Sequence, residues 1–162
     1  MKKLIRFAAI AALTTIAALS TAQAASTIRV TLNDKAEGLD MSKNMGLGVG
    51  MKGDMSKSVM SVDVNVKKVS AGKVTFNVKN GSKTMIHELI VAPLKDESQL
   101  MPYDDASFKV KEEDSTHLGE VSELDPGKSG SLILTLKAGK YLLYCNVAGH
   151  YMDGMWTIIE VK

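Results

Sequence analysis

Apolar side chains at every second position, in short runs broken by turn residues, constrain this chain more than any other feature. Ile28, Val30 and Leu32 alternate with polar neighbours, as do Val62, Val64 and Val66, and then Val74, Phe76 and Val78. A period of two puts alternate side chains on one face, so each run reads as a strand with one buried side. Residues 67–73 read as a hairpin connection, and Asn80-Gly81 closes the strand before it. Residues 87–91 form the next strand, ended by Pro93. Residues 118–124 and the alternating Leu132, Leu134 and Leu136 flank Asp125-Pro126-Gly127, a second hairpin signal. Residues 141–145 and 156–161 complete the set. Short strands at this spacing predict an all-β sandwich or barrel.

Two stretches break the rhythm. Residues 40–60 carry five methionines and four glycines with no clear period. Residues 92–115 hold seven acids against three lysines, and 94–100 within them reads as a short helix. There is no internal repeat and no sign of a second domain.

The first 24 residues read as a secretory leader. Lys2, Lys3 and Arg6 precede an uncharged apolar run, and Ala22-Gln23-Ala24 supplies the small-x-small cleavage pattern. Without them, 17 basic and 18 acidic residues remain, a net charge of −1. That balance gives no electrostatic case for nucleic acid or an anionic membrane. The expectation is one exported, periplasmic domain spanning residues 25–162, a monomer with no stable membrane insertion. A lone cysteine, Cys145, excludes an internal disulfide, although an oxidising compartment permits one.

That cysteine sits in the most specific motif of the chain. Cys145, His150 and Met155 follow one another at intervals of five residues, with Gly149 and Gly154 between them to let the loop turn back. Cys145 shares its strand face with Tyr141 and Leu143, so its sulfur belongs at the rim of a core. A second imidazole must come from elsewhere. His87 shares a face with Leu89 and Val91 at the start of a strand, whereas His117 stands beside the acidic stretch. His87 is therefore the expected partner and His117 a bystander. Thiolate, two imidazoles and a thioether make the trigonal His₂Cys set with a weak axial Met that suits blue copper. Cys and His also suit zinc, but a thioether favours copper.

The residues His87 … Tyr144-Cys145-x₄-His150-x₄-Met155 resemble the type 1 copper motif of the cupredoxins, the plastocyanin- and azurin-like proteins, over about residues 59–162. The loop spacing is closer to the rusticyanin type than to plastocyanin. The resemblance implies a Greek-key β-sandwich and one copper carried by His87, Cys145, His150 and Met155. It departs from the family at Glu88, where the family has an Asn that ties the two ligand loops together; Asn146 is the residue that offers a substitute.

The function expected is one-electron transfer between periplasmic redox partners, a cytochrome or a copper oxidoreductase, and not catalysis. Three histidines are too few for the extra clusters of a copper enzyme. Residues Val147, Ala148, Gly149, Tyr151 and Met152 are expected to form an apolar rim around His150 for docking. The alternative is copper tolerance or copper handling, with the thioethers of Met41, Met45, Met51, Met55 and Met60 taking Cu(I).

Overall fold

The computed structural model describes residues 25–35 and 44–162. The leader and Met41 lie outside the described residues. Strands β1 (Ser26–Asp34), β2 (Met60–Val64), β3 (Lys68–Val69), β4 (Gly72–Asn80) and β5 (His87–Leu94) come first. A ribbon of β6 (Tyr103–Asp104) and β7 (Lys109–Val110) and one helical turn, α1 (Glu112–Ser115), follow. Then come β8 (Gly119–Leu124), β9 (Ser129–Leu136), β10 (Gly139–Tyr144) and β11 (Trp156–Val161).

The strands build two sheets, ordered β2-β1-β4-β9 and β3-β11-β10-β5-β8. The inward rows Ile28, Val30 and Leu32 of β1 and Val74, Phe76 and Val78 of β4 meet Leu89, Val91, Leu143 and Ile159 of the other sheet. This is the all-β sandwich that the alternation predicts. Each fully buried Val, Leu, Ile or Phe contributes about 1.5–3 kcal/mol of transfer free energy.

Both hairpin expectations fail for one reason: alternation tells which face is buried, not which sheet a strand joins. β1, not β2, is the neighbour of β4, and it runs parallel to it. Residues 65–71 instead cross to the far edge of the other sheet, where β3 pairs with β11. Likewise β8 pairs with β5 while β9 pairs with β4, so the turn at 125–128 carries the chain between sheets. The chain thus crosses between the sheets at β2–β3, β3–β4, β4–β5, β8–β9 and β9–β10, the inter-sheet connections of a Greek-key sandwich. Pro93 does not end β5, which continues to Leu94 in its pairing with β10; pairing with β8 stops at Val91, so Pro93 stands where β5 is an edge on one side and proline is tolerated.

The two stretches without period form a second layer. Val49, Met101, Val110, Tyr151 and Met152 pack on Ile90, Ala92, Leu142 and Tyr144, on the outer face of the five-stranded sheet. β5 is therefore buried on both faces, which accounts for its unbroken apolar run. The helix expected at 94–100 is absent. Asp96 accepts from the Ser98 amide at 2.8 Å and folds that segment as a turn, the usual competition of a short acidic side chain with helix.

One polar residue closes the inward row of β4. Asn80 is fully buried, and its amide nitrogen donates to the carbonyls of Met85 and Leu124, both at 2.8 Å. Its oxygen accepts from the Ser82 amide at 2.9 Å. Asn80 thereby holds the 81–86 loop that delivers His87. Asn80→Ala removes both of these bonds and is expected to cost about 2 kcal/mol in urea unfolding.

Candidate metal centre

His87 opens β5 and faces inward with Leu89 and Val91; a register shift against β8 between His87 and Leu89 marks a bulge at this point. Cys145 follows the last residue of β10, where its amide donates to the Met155 carbonyl at 3.1 Å. The loop then folds on itself. The His150 amide donates to the Val147 carbonyl at 3.0 Å, and the Met155 amide donates to the His150 carbonyl at 3.0 Å. Gly154, at φ 89°, has no room for a Cβ, which would collide with the Ser58 hydroxyl. Glycine is needed there both for the turn and for the close approach.

These paths bring three donor atoms together. His87 Nδ1 and His150 Nδ1 are 3.2 Å apart, with the Cys145 sulfur 3.4 Å from His150 Nδ1 and 4.0 Å from His87 Nδ1. A trigonal ion about 2.0–2.3 Å from each ligand would separate such atoms by about 3.5–3.8 Å. The observed triangle brackets that spacing, so the residues fit a metal of this size. His87 and Cys145 are fully buried and His150 is 1% exposed. Among the described residues, these form the one group of His, Cys or acidic side chains with metal-binding proximity. Met155 is fully buried in the same apolar cluster as Cys145. His117 lies outside the group.

Burial keeps every donor neutral. It pushes the Cys145 thiol up to about 12 and pulls the His150 imidazole down to about 4. Burial also lowers His87, against the opposing pull of Asp34. A cation entering this site would displace the thiol proton and meet unprotonated imidazole lone pairs.

Glu88 ties together the two loops that carry these donors. Its amide donates to the Cys145 sulfur at 3.4 Å, and its carboxyl oxygen accepts from the Asn146 amide at 3.1 Å. Burial first, and then the charge of Glu112, raises the Glu88 carboxyl to about 7. Asn146 joins this tie only through its backbone amide. Its side chain instead holds the amide and carbonyl of Val110 (2.7 and 2.9 Å) and Glu112 (2.8 Å), clamping β7 and α1 to the loop.

The expected rim is corrected in part. Tyr151 and Met152 are 1% and 3% exposed and point into the outer apolar layer, where the Tyr151 hydroxyl accepts from the Val49 amide at 2.9 Å. Gly149 is also buried; Val147 is half-buried and Ala148 exposed. Ile86, beside His87, adds an exposed apolar side chain.

Sequence reasoning missed Asp34. Its carboxylate lies 2.9 Å from His87 Nε2, and neither side chain is exposed. The signal was present, because Asp34 is the next inward position after Ile28, Val30 and Leu32. An acid at the end of an apolar row needs a buried partner.

The chain was compared with known proteins. No protein family profile matches the sequence, and no curated protein does. Solved structures do match its fold. Auracyanin A, a "blue" copper protein from Chloroflexus aurantiacus, aligns with a TM-score of 0.55 at 21% identity, over 86% of this chain and 100% of that one. Auracyanin from Roseiflexus castenholzii aligns with a TM-score of 0.52 at 17% identity, over 85% and 97%. Rusticyanin from Thiobacillus ferrooxidans gives 0.51 at 17%, over 85% and 78%. At these identities the likeness establishes the fold: the chain has the cupredoxin β-sandwich that its motif implies.

Proposed function

We propose that this protein is a one-electron carrier with a single type 1 copper site formed by His87, Cys145, His150 and Met155. The observation that carries this reading is the buried triangle of two imidazole nitrogens and one thiol sulfur, with a buried thioether residue in the same loop. When bound, copper supplies the one-electron couple. The protein's part is to hold the donors still. Cys145 and His150 are fixed by backbone hydrogen bonds to Met155, and His87 is held by its loop and by Asp34. Because these side chains are buried, water has little access to the ligands, and little rearrangement accompanies a change of charge. The fold neighbours whose names describe blue copper support the choice of metal over zinc.

The chain is further proposed to act as a single exported domain of residues 25–162 in the periplasm, meeting redox proteins transiently. Among the described residues no helix is long and apolar enough to cross a membrane. Exposed Ile86 and Ala148 and half-buried Val147 supply apolar surface next to the ligands for a brief encounter.

The test is a visible spectrum of the purified protein titrated with Cu(II). An intense blue charge-transfer band is expected to saturate at one equivalent and to be absent from Cys145→Ser. A colourless protein at saturation would rule out the type 1 site.

Copper handling keeps a narrower basis. Met60 is buried in the core and is not free to take up metal, and Met45 is half-buried. Met51 and Met55 are 37% and 42% exposed and line a cleft of about 940 Å³ beside Trp156. Cu(I) uptake beyond one equivalent, lost in a Met51→Ser, Met55→Ser double variant, would favour that reading.

A further inference from the structure

We propose that Asp34 is a positioning residue of the metal centre, one that fixes the tautomer of His87 and biases the bound metal towards its oxidised state. The inference rests on the copper reading above. Asp34 ends the inward row of β1, and its side chain is as fully buried as that of His87. At 2.9 Å from Nε2, the carboxylate can only accept, so Nε2 must carry the proton. Nδ1 is then left as a lone pair, and Nδ1 is the atom that faces Cys145 and His150. A carboxylate behind a ligating histidine both orients the ring and raises its basicity.

The charge has a second effect. Asp34 is a carboxylate with no solvent-exposed side-chain surface, held against a residue of the site, so its charge disfavours the reduced state more than a neutral acceptor at the same position would. The protein is therefore built to hold its electron less tightly than the same site with a neutral amide at position 34.

Three measurements test this. In the metal-free protein, nitrogen NMR shifts should show His87 protonated on Nε2 and not on Nδ1; the opposite pattern overturns the tautomer assignment. In the copper protein, Asp34→Asn keeps the hydrogen-bond acceptor and removes the charge. It should retain the blue band while the preference for Cu(II) over Cu(I) falls at least tenfold, a rise in potential of about 59 mV or more for one electron. Asp34→Glu should bring the potential back towards the wild-type value, a rescue that a packing role would not give, and it serves if the Asn variant does not fold. A blue Asp34→Asn protein with an unchanged or lower potential overturns the electrostatic half. Failure of the wild type to take up copper would sink the copper reading, and the electrostatic half with it. The nitrogen shifts would still decide the tautomer.

Discussion

Copper loading is expected to raise the stability of the protein against urea by about 4 kcal/mol when free metal stands a thousandfold above its Kd. The proposed ligands come from separate parts of the fold, His87 from β5 and the others from the loop joining β10 to β11. No unfolded chain holds them in register, so binding is linked to folding. The metal-free site also carries a cost of its own. Two unprotonated imidazole nitrogens 3.2 Å apart would repel, and a proton shared there satisfies only one pair. A metal would remove that conflict and use the buried sulfur as well. Residual binding by Cys145 and the histidines in the unfolded chain would reduce the gain but not abolish it. Paired urea melts, without copper and with free copper held a thousandfold above its Kd, measure the effect, and Cys145→Ser should lose most of it. Equal midpoints for loaded and unloaded wild type would mean that the triangle is not a metal site.

How far the fold could be read from sequence depends on what alternation encodes. It places Ile28, Val30, Leu32, Val74, Phe76 and Val78 inward correctly, and it puts Cys145 on the core face with Tyr141 and Leu143. It says nothing of partners across a sheet, so the connections at 65–71 and 125–128 looked like hairpins although they pass between sheets. The grouping of His87, Cys145 and His150 was legible because two of them share one loop and the third stands at the head of an inward row. What escaped were the supports. Asp34 and Asn80 are polar residues at the ends of apolar rows, where a strand reading stops counting. Their partners, His87 Nε2 and the carbonyls of Met85 and Leu124, lie on segments distant in sequence. Tyr151 and Met152 were misplaced for a different reason. A loop of this kind looks solvent-facing until a second layer covers it, and that layer comes from 44–53 and 101–110, neither of which has a readable period.

Tyr151→Ala is expected to destabilise the protein by about 3–5 kcal/mol, the usual range for deleting a buried aromatic ring. The ring is 1% exposed and sits edge-on to Tyr144 at 5.7 Å, with Tyr103 at 6.2 Å on a tilted plane. Gly48 lies so close to it that a Cβ there would come within 2.8 Å of the ring. Removing the ring opens a cavity among the outer strand face, the 44–53 segment and the ligand loop at once. Because Tyr151 directly follows His150, the loss should also loosen that imidazole and broaden or weaken the blue band. Tyr151→Phe keeps the ring and loses only the bond from the Val49 amide, at about 1 kcal/mol, and its band should match the wild type. Urea melts and visible spectra of the two variants separate the roles. If Tyr151→Ala unfolds earlier but keeps an unaltered band, the outer layer supports the fold without holding His150. A cost under about 1 kcal/mol would instead mean that the ring is not packed as described.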